Sequence, residues 1–287
     1  MGGSDELLGL HWTISGPVEV HVGREWSLFD LRDRCAHAAR VGFAGIGIWH
    51  ADLEHMLGEG KTLADIRSLF DEYGLRYLEL EFIGDWFLEP GDERRAVSDR
   101  TRAMLFEAAE VLPAHHIKVG NLAGTPVELP RLIEAYGELC ADAAQHTDAK
   151  IVYEFMPYDA VVNTLDIALS VVQGANAPNG GLAFDTWHLG KLDVMPDDLR
   201  RVPPQWVSWV ELSDGPFGIA EEWLDEVINR RRLPGEGDFP IREYVGVFRE
   251  LGYDGPWGVE VLSEELRTLP IDEIFDRAYA TSAAQLT

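Results

Sequence analysis

Four acidic residues, Glu154, Asp185, Glu211 and Glu260, each stand at the end of a short apolar run. Ile151, Tyr153 and Phe155 alternate around Glu154, Leu182 and Phe184 precede Asp185, Glu211 follows Trp209 by two, and Trp257, Val259 and Val261 alternate around Glu260. Successive side chains of a strand point to opposite faces, so apolar residues on one face leave Glu154, Asp185 and Glu260 on the other, and Glu211 shares the inward face with Trp209. Carboxylates crowded within several ångströms repel one another and raise each other's pKa, and such a group persists only with protonation or a cation. A divalent metal is the economical answer. A donor set made only of oxygens predicts a hard ion, Mn2+ or Mg2+, over zinc. Four carboxylates around one dication still leave excess negative charge, so one acid is expected to be protonated or to serve chiefly as a base.

Other residues could complete such a centre. Lys118, one of only four lysines in the chain, lies between Ile117 and Val119, and alternation turns its ammonium toward the acids as a counter-charge or a contact to a substrate oxygen. His188 follows Asp185 by three in Phe-Asp-Thr-Trp-His, where it could bind a substrate hydroxyl or a metal. His50 ends Gly-Ile-Gly-Ile-Trp-His and is a similar candidate. Glu79 and Glu81 share one parity, and Glu81 is the one placed to reach a substrate. Trp12, Trp49, Trp86, Phe155, Trp187 and Phe217 fall at or beyond run ends. Most are expected to pack, but Trp12 is a candidate wall, because sugar C–H faces stack on rings while hydroxyls find polar groups.

The elements that must position these residues alternate between strand and helix. Strands are expected at 8–14, 44–49, 75–82, 116–120, 151–155, 181–185, 206–212 and 257–262. Helices are expected from Ser27 as N-cap to Arg40 with Gly42 ending it, at 62–73 before Gly74, and at 92–111, 128–145, 164–172 and 241–251. A helical turn is expected from Asp197, an irregular stretch up to Asp238, and a last helix near Pro270. Eight strands each followed by helical sequence predict an α/β fold, a (β/α)8 TIM barrel forming one domain over 1–287. A doubly wound open sheet is the rival, but strand 1 lacks the glycine-rich turn of a dinucleotide site.

Composition narrows the partners. The 287 residues carry 24 basic and 50 acidic side chains, a formal charge of −26, with no Lys/Arg cluster that could displace counterions from a phosphate backbone. Nucleic acid is therefore not expected. No apolar run approaches the roughly 18 residues of a membrane span. Residues 1–10 lack the basic and apolar pattern of a secretory signal. A soluble, cytoplasmic protein is expected. Cys35 and Cys140, the only cysteines, fall inside expected helices without metal-ligand spacing and are read as packing residues.

Glu154, Phe-Asp185-Thr-Trp-His188, Val-Glu211-Leu-Ser-Asp-Gly-Pro, Arg232-Leu-Pro-Gly-Glu-Gly-Asp and Gly-Val-Glu260-Val together resemble the sugar phosphate isomerase/epimerase family, which has the xylose-isomerase-like barrel. The resemblance runs from Gly-Phe-Ala-Gly-Ile-Gly-Ile-Trp-His50 to Glu260. It implies metal ligands at Glu154, Asp185, position 211 and Glu260, with Glu154 and Glu260 also moving the proton. Glu211 departs from the pattern, which has His there. His188 is similar to the family's substrate-binding histidine, and Arg232 to its substrate-contacting arginine.

The expected chemistry is proton transfer beside the carbonyl of a keto sugar or polyol derivative, with the metal stabilising the enediolate and Glu154 or Glu260 as base. Return of the proton gives an epimerase or isomerase. Loss of a β-substituent instead gives a lyase of the 3-dehydroshikimate dehydratase or 3-keto-glycoside type, the latter including C-glycoside deglycosidases that work with a small second subunit. A homo-oligomer is compatible with either. Ser263-Glu264-Glu265 after strand 8 would repel a phosphate dianion, so a neutral substrate is preferred. A sugar-binding barrel without turnover is the non-enzymatic alternative.

Overall fold

The structure, a computed structural model, describes residues 5–20, 23–218 and 220–287. Residues 1–4 of the stretch read above as lacking a leader lie outside them. Eight parallel strands close in chain order: β1 Leu7–Gly9, β2 Gly45–Trp49, β3 Tyr77–Ile83, β4 Ala114–Val119, β5 Lys150–Glu154, β6 Gly180–Asp185, β7 Val207–Leu212 and β8 Trp257–Val259. Pairing of β1 with β8, Leu8 opposite Gly258, completes the barrel.

Alternation sorts the strand residues as the sequence predicts. Ile117, Val119, Ile151, Tyr153, Leu182, Phe184, Trp257 and Val259 join the core between barrel and helices. Each such buried side chain contributes about 1.5–3 kcal/mol by leaving water. The opposite parity turns inward, where Leu8, Leu10, Val152, Ala183 and Trp209 form a separate apolar cluster. The barrel interior has little room, and glycine makes some of it. A Cβ at Gly258 would lie 2.7 Å from Leu10 Cδ1, 2.8 Å from Trp209 Cζ2 and 3.1 Å from Glu211 Cγ.

The helices follow local signals. Thr62 and Asp65 form a capping box, and Gly42 and Gly74 end their helices in the left-handed conformation. The helix Ile241–Glu250 buries Ile241, Tyr244, Val245 and Phe248, the spacing of one helical face. Cys35 and Cys140 are buried and unpaired, as packing residues. Among the described residues, no helix is long and apolar enough to cross a membrane.

Several expected boundaries are corrected. Strand 1, expected at 8–14, ends at Gly9, and His11–Ile14 is helical. Thr13 compensates: its hydroxyl donates to Val259 O at 2.7 Å and accepts Val261 N–H at 2.7 Å, replacing the missing strand pairing. Ser27 is not the N-cap. Its N–H donates to Asp52 and its hydroxyl to Ser15 O, so the helix starts at Leu31 with Asp30 accepting Arg32 N–H. Strand 3 begins at Tyr77 and strand 8 ends at Val259, while unexpected helices occupy His50–Gly58, Thr186–Lys191 and Trp223–Asn229.

Candidate metal centre and active site

Asp185 is the hinge of the site. It ends β6 and caps the next helix, its Oδ1 accepting Trp187 N–H at 2.8 Å. That early start puts His188 one turn on, with Nε2 3.6 Å from Asp185 Oδ2 and 3.3 Å from Glu154 Oε1. Strand register brings in the others: Asp185 pairs with Glu211, Glu211 with Gly258, and Glu154 with Ala183. Glu154, Asp185, Glu211 and Glu260 each offer an oxygen within 4.8 Å of the others, and all four are buried. Glu154, Asp185 and His188 form an overlapping group within the same distance.

The donor set suits a divalent cation. Glu211 Oε1 accepts from Lys118 Nζ and from Trp209 Nε1, both at 2.7 Å, while its Oε2 is buried without a hydrogen-bond partner. A buried carboxylate oxygen left unpaired is costly unless a cation meets it. Six acids, Glu79, Glu81, Glu154, Asp185, Glu211 and Glu260, are buried here with two permanent side-chain cations, Lys118 and Arg231. With all six ionised, those two would leave four negative charges unbalanced, so the group needs protons or a further cation.

Electrostatics separates the acids. Burial pushes Glu79, Glu81 and Glu211 well above the usual carboxylate range, only partly opposed by the Lys118 ammonium. Glu260 is also raised, by burial first and by Glu154 and Asp185. Glu154 differs: burial works against its ionisation, but Lys118, His188 and Arg231 outweigh it and hold the carboxyl down to about 2. Lys118 is raised well above the usual lysine range, its desolvation overcome by the surrounding carboxylates.

A cavity at the C-terminal rim is lined by Trp12, Glu81, Glu154, His188, Arg231 and Glu260, with Tyr158, Phe82 and Met156 among its apolar walls. Of the six expected substrate contacts, His188, Glu81 and Trp12 line this cavity, whereas Lys118, His50 and Arg232 are placed differently. Lys118 does not line the cavity, since its ammonium is enclosed by carboxylates beneath it. His50 accepts Phe82 N–H at 3.3 Å and lines a neighbouring depression with Asp85 and Arg94. Arg232 is exposed, its guanidinium on Glu236 O and its backbone bridged to Asp214.

Arg231 takes the place expected of Arg232. Its Nη1 lies 2.7 Å from Asp185 Oδ2 and 3.3 Å from Glu260 Oε2, its guanidinium sits 4.7 Å from the Trp187 ring centre, and its backbone N–H donates to Leu262 O. Adjacent arginines at a bridge point to opposite sides, and nothing in Arg230-Arg231-Arg232 marks which side faces the site. Glu79 was also not assigned a contact. Its Oε2 is 2.8 Å from His116 Nε2, below the acid group.

The comparisons with known proteins agree with the barrel fold. The chain is 27% identical to a 3-dehydroshikimate dehydratase of Pseudomonas aeruginosa over 84% of its own length and 37% of that protein's, so it spans little more than a third of this relative. It is 26% identical to a putative hydroxypyruvate isomerase of Streptomyces coelicolor, over 80% of this chain and 85% of that one. The fold superposes on the IOLI protein with a bound zinc atom at a TM-score of 0.82, with 18% identity and 98% of each chain covered. Both sequence relatives carry enzyme names, one a dehydratase and the other an isomerase. The family model for the xylose isomerase-like TIM barrel matches residues 35–282, and the chain belongs to that family.

Proposed function

We propose that this protein is a divalent-metal-dependent isomerase or epimerase that moves a proton beside the carbonyl of a keto sugar or polyol derivative. The observation that carries the reading is the pair Glu154 and Glu260, both facing the cavity and both within the four-acid donor set. Glu154, Asp185, Glu211 and Glu260 would hold the ion, Mn2+ or Mg2+ by the hardness of the donors. When bound, it supplies positive charge beside the substrate oxygen that becomes negative.

The remaining work falls to the chain's own side chains. Glu154, kept ionised by its cationic neighbours, accepts the proton, and Glu260, whose carboxyl is raised, is suited to hold and return one. Environments that push two carboxyls apart are how one site holds an acid and a base together. Arg231 and His188 orient substrate oxygens from the rim. Trp12, Phe82, Met156 and Tyr158 cover apolar faces and exclude water.

Elimination of water from a keto polyol is the second reading, favoured by the dehydratase relative at 27% identity. Both begin with the same proton abstraction. The test is incubation of the Mn2+-loaded protein in D2O with hydroxypyruvate, ketohexoses and 3-dehydroshikimate, followed by NMR. Deuterium incorporation with a new epimer or isomer supports the first reading, and a dehydrated product supports the second. No exchange with any keto compound would leave a binding barrel.

A further inference from the structure

Lys118 stands where two carboxylate groups meet. Its Nζ is 2.7 Å from Glu211 Oε1 and from Glu260 Oε1, 3.2 Å from Glu81 Oε2, and 3.8 Å from Glu79 Oε1 and Glu154 Oε2. Besides the four-acid group at the rim, Glu79, Glu81 and Glu260 also bring oxygens within 4.8 Å of one another, and the two groups share only Glu260. In the second group Glu79 Oε1 and Glu81 Oε1 are buried with no hydrogen-bond partner, on side chains no more than 1% exposed. A buried acid group with free acceptors is a cation's donor set, and here the nearest cation is tethered to β4.

We infer that the Lys118 ammonium is the resident cation of a second carboxylate pocket formed by Glu79, Glu81 and Glu260, and that it limits the barrel to one exchangeable divalent ion. The inference rests on the proposed function in taking the rim group as the place of that ion. An ammonium has three N–H groups and cannot be exchanged or chelated away. It neutralises Glu260 from one side and leaves the other oxygen, Oε2, toward Arg231 and the rim. Two dications sharing Glu260 beside a fixed ammonium would repel strongly in a buried site. Removing the ammonium removes that repulsion and leaves a vacant group of acids suited to a hard ion. Lys118 is thus a positioning residue for the metal centre.

The test is ion stoichiometry, measured on the full chain by equilibrium dialysis against Mn2+ with elemental analysis, and by Mn2+ EPR. Wild type is expected to hold one ion per chain, and Lys118→Ala two, with spin coupling between them. Lys118→Arg keeps the charge and is expected to hold one, as is Lys118→Ala combined with Glu81→Gln. Because Lys118→Ala removes a counter-charge from five acids, it is refolded with and without Mn2+, and the ion is expected to restore its melting temperature. An alanine variant that holds the same number of ions as wild type, or that fails to fold even with Mn2+, would overturn the inference. If wild type holds none and the variant gains one, the proposed rim ion fails and the Lys118 pocket stands.

Discussion

The indole N–H of Trp209 donates to Glu211 Oε1 at 2.7 Å, on the same oxygen that receives the Lys118 ammonium. Two donors on one oxygen fix the carboxylate and leave Oε2 free for an ion. Hydrogen bonds that orient a metal ligand typically contribute about 10- to 100-fold in affinity. Trp209→Phe is therefore expected to keep the fold and weaken Mn2+ binding by about that factor, read by isothermal titration. If part of the tryptophan fluorescence change on Mn2+ addition comes from Trp209, it should be smaller in the variant. Unchanged affinity would remove the indole as a positioning group.

Gly258 guards the same contact. Its absent Cβ leaves the space taken by Leu10, Trp209 and Glu211. Gly258→Ala is expected to destabilise the barrel by about 1–3 kcal/mol, the usual range for overpacking, and to weaken ion binding as well. Urea unfolding and titration on one preparation measure both effects, and full retention of both would remove Gly258 as a packing requirement of the interior.

Glu154→Gln and Glu260→Gln keep size and remove the proton-carrying group. Each is expected to lower solvent exchange into a turned-over keto substrate by about 100- to 10,000-fold. NMR in D2O measures it, and near-normal exchange in either variant would strike that residue from the proton path.

The two neighbouring arginines are expected to differ sharply. Arg231→Met removes a buried guanidinium from Asp185 and Glu260 and is expected to cost about 100- to 1,000-fold in kcat/KM. Arg232→Ala, on an exposed side chain, is expected to stay within about twofold, the range of a surface change. Equal losses would return Arg232 to the site.

His11 sets an acid limit on stability. Burial, with Arg34 adding to it and Asp52 opposing it, lowers its pKa from 6.5 to about 4. The unfolded chain takes up a proton below 6.5 that the folded ring refuses until about 4, so stability is full above 6.5 and falls as pH drops through that window. The loss is about 2 kcal/mol near pH 5 and about 3 kcal/mol near pH 4. Urea midpoints at these pH values check it, and His11→Gln should show a shallower decline.

Much of the barrel was legible because alternation is a local property. Ile151, Tyr153 and Phe155 turn one way whatever surrounds them, so the inward direction of Glu154 follows from the chain alone, as do those of Lys118 and Glu260. Glycines and caps likewise set helix ends at Gly42 and Gly74. Strand 1 misled because the apolar run Leu8–Ile14 fits both a strand and a turn of helix, and the choice lay with Thr13, whose hydroxyl bonds a strand some 250 residues away.

By itself the sequence determined the order of the strands, the inward parity of the acids and the excess of negative charge. Only the tertiary structure decided which cation meets which carboxylate. Lys118 reaches Glu211 and Glu260, Arg231 rather than Arg232 reaches Asp185, and His50 is left beside the cavity rather than in it. The physical reason is range: side-chain parity is fixed within two residues, whereas a charge contact depends on where eight separate strands bring their ends.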